Sequence, residues 1–302
     1  PDLLCFVHPP DQPPVPRSLP PSILTAFSKL DPVGTPNKLS EQQVNWEVIY
    51  QTAAATRKPS TADKIFDYGD SVPIESAGPP IPAAKIIRQR RSATDFDPAG
   101  SLEKSQLIAI LDKTLPRNDC APFDAGIMEP ATHLLIFVHR VTGLNPGLYF
   151  FCRNSDDLAP VMKLARGDFA WRPVKEDFPL YLLAEGDYRQ QAKMVSCHQD
   201  IAGSGAFSLG MIARFRSAIS AEPHRYRQLF WESGAIGQVL YLEAEAHGAR
   251  GTGIGCYFDD AVHEILGLKD NRYQSLYHFT IGRPIEDKRL STYPPYDHLK
   301  NR

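Results

Sequence analysis

The sequence predicts an α+β fold, and three observations carry that reading. Two continuously apolar runs, residues 133–140 (HLLIFVHR) and 147–152 (GLYFFC), flank a turn at 143–146 and read as a β-hairpin. Two long stretches with helical spacing follow, at 198–217 and 226–247. A last strand, 277–281, comes after a short helix. Strands and helices are thus interleaved, with both hairpin and crossover connections.

The bulk numbers bound the possibilities. A chain of 302 residues makes one large domain with an attached segment, or two small domains. Its 42% apolar and 23% charged content is that of an ordinary globular protein, long enough to bury a core without disulfides. A net charge of −2 argues against a nucleic-acid surface or a polybasic membrane anchor. No apolar run approaches the ~20 residues of a spanning helix, and no signal-peptide pattern opens the sequence. The expected location is the cytoplasm. The five cysteines are odd in number and widely spaced, with no CxxC pair. They are expected to be free, mostly buried thiols in a reducing compartment, neither a zinc knuckle nor a thioredoxin-type motif. The sequence starts at Pro1 without a Met, which points to a piece of a longer product.

Over half of the 27 prolines fall in residues 1–82, including adjacent pairs at 9–10, 13–14, 20–21 and 79–80. Proline removes backbone donors and breaks helices. Residues 1–82 are therefore expected to be an arm or linker, and 83–302 the globular domain. The arm should hold a short helix near 21–30 and a clearer one over 40–56, capped by Ser40. Phe27, Trp46, Phe66 and Tyr68 call for burial, so the arm is expected to lie on a larger body.

Within the domain, 83–91 reads as a short amphipathic helix. Residues 101–115 read as a second, with Leu102, Leu107, Ile110 and Leu111 at helical spacing and Ser101 as cap. After the hairpin come a short helix at 157–164 and a strand at 180–185. The 198–217 helix is carried by Ile201, Phe207, Met211 and Phe215. The 226–247 helix is carried by Leu229, Phe230, Ile236, Leu240 and Leu242, with Gly248 just past its end. Glycine inside a helix costs about 1 kcal/mol relative to alanine. Gly234 and Gly237 therefore point to a close approach by another helix or a ligand. Residues 251–258 (GTGIGCYF) form a glycine-rich strand or loop. A short helix capped by Asp259 follows at 259–266.

Three stretches could carry chemistry. Arg90, Arg91 and Ser92 leave a helix end together. Bidentate cationic donors beside a hydroxyl suit a phosphate, although a solvated basic helix end has the same composition. Gly251, Gly253 and Gly255 miss the GxGxxG spacing and follow a helix, so a Rossmann reading fails. They let backbone N–H groups approach a planar ligand, or they make a tight turn before a strand. Lys288 and Arg289 form a second basic pair, able to converge on the same phosphate or to sit in a solvated tail. His198 beside Cys197 makes no nucleophile pair, because helical neighbours face apart. His133 and His139 flank a buried strand and are expected to be structural. His263 with Glu264 lacks an HExxH pattern. No metal site is expected, and no side chain is assigned as catalytic.

Taken in order, the blocks IIRQRRSATDF (86–96), YRQLFWESGAIGQVLYLEAEAHGARGTGIGCYFDD (226–260) and YHFTIGRPIEDKRL (277–290) resemble the nitroreductase family, and within it the SagB-type, azoline dehydrogenase-like branch. The resemblance implies a central, mainly antiparallel sheet flanked by helices, with a long central helix pair. It implies FMN held without covalent attachment, with NAD(P)H as a candidate electron donor. Arg90, Arg91 and Ser92 match the residues that grip the FMN phosphate and ribityl oxygens. Gly253, Ile254, Gly255, Cys256 and Tyr257 match the loop whose backbone faces the flavin ring. Arg289, with Lys288, matches the distal phosphate contact. Thr94 stands where many members have Lys or Arg. The family's Pro-Ser segment falls at 122–126, which here reads PFDAG. The branch's Lys-Tyr pair is absent at 220–226 (SAEPHRY), leaving Glu222, His224 or Tyr226 as substitutes. Family members are usually dimers with flavin at the interface, and 1–82 resembles the joint of tandem fusions of two halves. Three functions follow as expectations. One is an FMN oxidoreductase acting on a small molecule. The second is an azoline dehydrogenase acting on a ribosomal peptide. The third is an idle half-domain completing a partner's site.

Overall fold

The computed structural model describes residues 21–299, apart from 32, 36–37, 39, 43, 60–65, 70, 75–80, 119, 126–128, 292 and 295–296. Cys5, the proline pairs at 9–10, 13–14 and 79–80, and Gly126 lie outside the described residues, as does Pro20 of the 20–21 pair. The chain separates into two compact units, Pro1–Glu47 and Val48–Arg302. In the first, helix α1 spans Pro21–Phe27. Phe27 and Trp46 are 51% and 63% exposed, against the expectation of burial. Ser40 is not a helix cap. Its hydroxyl accepts from Gln42 N in a local turn, and helix α2 begins later, at Glu47–Ala55.

In the second unit, the stretch before the domain is held by side chains that accept its backbone N–H groups. Tyr68 N donates to Asn118 Oδ1 and Ile74 N to Asp112 Oδ2. Then follow helix α3 (Ala83–Gln89), strand β1 (Leu102–Glu103) and helix α4 (Lys104–Asp112). The chain continues with β2 (Thr132–Val138), β3 (Val141–Thr142), β4 (Gly147–Phe151), α5 (Leu158–Leu164), β5 (Arg172–Lys175) and β6 (Phe178–Glu185). Next are α6 (Arg189–Val195), α7 (Ile201–Ser204), β7 (Phe207–Arg214), α8 (Arg216–Ala221) and α9 (Arg225–Ala246). Strand β8 (Arg250–Ile254), helix α10 (Asp259–Leu266) and strand β9 (Tyr273–Gly282) complete the domain.

Seven strands form one sheet in the order β5-β6-β4-β2-β7-β9-β8, and every neighbouring pair is antiparallel. The predicted hairpin is β2–β4, with Leu134 opposite Phe151 and Val138 opposite Gly147. Both faces of the sheet are covered. Leu134, Ile136 and Val138 pack toward Leu107 and Leu111 of α4 and Ile236 and Leu240 of α9. Leu135 and Phe137 point the other way, toward Val161, Val195 and Val262 of α5, α6 and α10. Strands covered on both faces read as unbroken apolar runs, which is why HLLIFVHR shows no alternation. Each large apolar side chain so buried stabilises by roughly 1.5–3 kcal/mol.

Four expectations are corrected. Residues 198–217 are not a long helix. They contain α7 and the central strand β7, so α9 is the one long helix among the described residues and there is no long helix pair. FSLGMIAR is buried on both faces, and an all-apolar segment of this kind matches helical spacing by accident. Helix α4 is shorter than 101–115 and starts from Glu103, not Ser101. Glu103 and Gln106 form a capping box while Leu102 pairs with Val141 in a short parallel bridge. Asp259 lies inside α10, whose N-cap is Phe258. The cysteines are not all free: Cys197 and Cys256 form a disulfide, leaving Cys120 half-buried and Cys152 buried as thiols.

Candidate functional site

Helix α3 ends where Arg90 turns extended, with φ −51° and ψ 128°, its backbone N–H closing onto Ile86 O. The chain then runs along the outer side of β8. Ala93 N donates to Gly251 O at 3.2 Å, and Thr252 Oγ1 donates to Ala93 O at 2.8 Å. Arg91 N is held by Glu245 Oε1 of α9 at 3.4 Å. The segment carrying Arg90, Arg91 and Ser92 is thereby fixed against β8 and α9.

Tyr241 of α9, which sequence reasoning missed, joins them. Its hydroxyl accepts from Gly253 N at 2.8 Å and lies 2.9 Å from Ser92 Oγ. Either hydroxyl can be the donor in the Tyr241–Ser92 bond, so the pair can hold its protons in either arrangement. The Arg90 guanidinium stacks over the Tyr241 ring, 4.9 Å from its centroid. Among the described residues neither the Arg90 nor the Arg91 guanidinium has a carboxylate partner. The Arg91 guanidinium donates only to the carbonyls of Arg88 and Arg90.

The glycines have a definite cause. A Cβ on Gly253 would fall 1.8 Å from Tyr277 Oη, and one on Gly251 would fall 2.4 Å from the Phe279 ring. Aromatic side chains of β9 fill those two faces, so close approach here is first to the protein's own rings. Gly255 is different: it is exposed and open, with nothing within 4 Å of a would-be Cβ. Gly237 is explained too, since Tyr277 lies 2.9 Å from its Cβ position.

Beyond Ile254 the chain leaves the sheet. Cys256 is exposed and bonded to Cys197, and Gln199 Nε2 donates to Cys256 O at 3.3 Å. Tyr257 stacks on His278 at 4.7 Å and donates its hydroxyl to Leu276 O. Burial pushes the Tyr257 phenol up to about 12 and His278 down to about 3, so both are neutral near pH 7. Cys197 and His198 both have left-handed backbone, φ +54° and +59°. For side chains with a Cβ that conformation costs about 1–2 kcal/mol each.

The second basic pair is placed differently. The chain after β9 runs beside residues 95–97, with Ile285 N on Asp95 O and Asp97 N on Arg283 O. Arg289, however, is clasped by Asp287 through both carboxylate oxygens, and its side chain is 88% exposed. Phe123, in the segment matched to the Pro-Ser contact, is buried under Arg153, while Asp124 is exposed. Tyr226 packs between Phe215 and Phe230, close enough to Tyr257 to influence its ionisation. The histidines expected to be structural are so. His133 accepts from Arg153 N and faces Asp157, and His139, lowered to about 4 by burial, faces Ala202 O. No group of three metal-ligating side chains occurs among the described residues, and none of their helices is long and apolar enough to cross a membrane.

A ligand with a phosphate and a flat ring fits this donor set. Two guanidinium groups lack a carboxylate partner among the described residues, the Ser92 hydroxyl stands beside them, and nothing lies within 4 Å of a Cβ built at Gly255.

The model of the family described as Nitroreductase matches residues 87–283. Among solved structures, an Anabaena variabilis protein provisionally named a nitroreductase is 23% identical, with a TM-score of 0.53 over 67% of this chain. This chain spans only 38% of that protein's length. A Ralstonia eutropha protein with the same provisional name is 16% identical, with a TM-score of 0.50 over 77% of this chain and 98% of that one. The E. coli McbBCD microcin synthetase complex, with truncated pro-MccB17 bound, is 13% identical over 91% of this chain and 85% of that chain, with a TM-score of 0.46. No curated protein matches the sequence. At these identities the structures speak for the fold alone. The family model covers well over half of the chain, and the chain belongs to the Nitroreductase family, a family of FMN-dependent oxidoreductases.

Proposed function

We propose that this chain is a cytoplasmic FMN-dependent oxidoreductase that passes a hydride between a nicotinamide or organic substrate and flavin N5. The observation that carries the reading is the joining of Arg90, Ser92, Tyr241 and Gly253 at one corner of the fold. FMN, when bound, supplies an N5 position that accepts and returns a hydride. Arg90 and Arg91 would neutralise the phosphate, and Ser92 would donate to it or to the ribityl chain. The backbone of Ile254, Gly255, Cys256 and Tyr257 would lie along the ring edge, offering N–H groups to developing negative charge. Lys288 and Arg289 would close the phosphate end from the tail, Arg289 first leaving Asp287. Tyr257 and His278 stay neutral near pH 7, so neither is suited to shuttle a proton there.

Residues 1–82 would act as an arm or as the joint to a second nitroreductase-like half. That half, or a second copy in a homodimer, would complete the site from outside. A second reading is the SagB-type azoline dehydrogenase, for which Glu222, His224 or Tyr226 would serve as base toward a peptide substrate.

Purified protein separates these readings. A yellow preparation that releases FMN and oxidises NADH or NADPH supports the first. Turnover of a thiazoline peptide supports the second. A colourless protein that refuses added FMN would sink both and leave an idle partner half.

A further inference from the structure

The disulfide between Cys197 and Cys256 sits where a stable core has no need of it. Both flanking elements are anchored without it. Ser196 Oγ pairs with His278 Nδ1 at 3.1 Å, and Phe258 N donates to Val195 O at 2.8 Å. Tyr257 is fixed by its stack on His278 and its bond to Leu276 O. What the disulfide holds is the short stretch between these anchors: Gly255, which touches nothing on its Cβ side, and Cys256, otherwise held by one bond from Gln199. Across the bridge, Cys197 and His198 are kept in left-handed backbone that side chains with a Cβ avoid. Cys256 is exposed and Cys197 half-buried, so a thiolate from solution has a sulfur to attack.

We propose that Cys197–Cys256 is a thiol–disulfide exchange site whose redox state sets the order of the Gly255–Cys256 stretch and of the 197–198 turn. The co-reactant is a small or protein-borne dithiol. Its first thiolate attacks one sulfur, breaking the S–S bond and forming a mixed disulfide. Its second thiol displaces that sulfur. Two electrons and two protons pass to the cysteines, which become thiols, and the dithiol leaves as its own disulfide. Reduction releases the Gly255–Cys256 backbone and lets the 197–198 turn relax. Oxidation pins the loop with its N–H groups pre-set. The consequence for FMN rests on the flavin reading above: a pre-ordered loop binds more tightly than one that must be ordered on binding.

The test uses the full chain purified without reductant. Graded dithiothreitol is followed by iodoacetamide, and the alkylated peptides are weighed. Cys197 and Cys256 should gain their two groups together and only after reduction, while buried Cys152 gains none in the native protein. Deuterium uptake without FMN should rise at least about tenfold at 197–198 and 255–256 and stay unchanged at Phe258 and in α9 and β9. Oxidised glutathione should restore the slow uptake. Cys197→Ser and Cys256→Ser should each show the fast uptake with or without reductant. The FMN dissociation constant, read by flavin fluorescence, should rise about fivefold on reduction.

Labelling of both cysteines in unreduced protein overturns the proposal. So does loop uptake that reduction leaves unchanged, or faster uptake spread through α9 and β9, which marks a global staple. A released loop with unaltered FMN affinity overturns the coupling to the flavin. Failure to bind FMN in either state refutes the flavin reading and leaves the exchange site standing on the uptake result.

Discussion

Two basic pairs of similar composition end in opposite situations. Arg90 and Arg91 lie at a packed corner. One is stacked on Tyr241, the other has its backbone held by Glu245, and neither guanidinium has a carboxylate partner among the described residues. Lys288 and Arg289 lie in a tail where Asp287 already grips Arg289 and solvent surrounds it. A surface pair of that kind contributes about 0–1 kcal/mol and leaves little positive field for a ligand. A cation's value to a site is set by what already neutralises it and by how firmly its backbone is held.

The contrast can be broken or sharpened by substitution. The largest effect is expected from Gly253→Ala. The new Cβ would meet Tyr277 Oη, and overpacking of that kind costs about 1–3 kcal/mol or more. A urea-unfolding midpoint equal to that of the parent would show the corner to be loose. Arg90→Ala should weaken FMN binding by roughly 1.5–3 kcal/mol, the worth of a hydrogen bond to a charged group. Arg289→Ala should cost under about 1 kcal/mol, since an exposed pair is lost with it. Equal losses by fluorescence titration would erase the distinction between the pairs.

Acidification tests how dry the floor of the corner is. His278 is held down to about 3, below the ordinary 6.5, because burial disfavours its charged form. The unfolded chain therefore binds the extra proton first. Stability from this group is complete above about pH 6.5 and falls as pH drops below it, by roughly 1.4 kcal/mol per unit. Unfolding free energies at pH 7 and pH 5 should differ accordingly, and His278→Asn should flatten the dependence. A modest effect on stability is expected from Tyr241→Phe. It strips the acceptor from Gly253 N–H and should cost about 1 kcal/mol in stability. A gain in stability would mean that the amide is satisfied elsewhere.

Much of this architecture is written locally. Strands β2 and β4 are bounded by a turn at Gly143, where φ is +85°, and α9 stops at Gly248, where φ is +67°. Those signals need no knowledge of the rest of the fold. Strand β7 was illegible because a segment buried on both faces has no period to read. Strand β5 was illegible for the opposite reason, being polar and mostly exposed. At the site, Arg90–Ser92 and Gly253 could be named from residue type. Tyr241, Tyr277 and the Cys197–Cys256 bond could not, since each acquires its meaning only when distant segments are brought side by side.

The two outermost strands decide how this molecule can meet others. The outer rim of β8 is met by Ala93, whose N–H donates to Gly251 O and whose carbonyl accepts from Thr252 Oγ1. The rim at β5 reads Arg172-Pro173-Val174-Lys175, with one amide missing at Pro173 and cations at both ends. An edge spoiled by proline and charge resists strand addition. The sheet is therefore guarded against growing by end-to-end stacking, and association between copies is left to helical surfaces and loops.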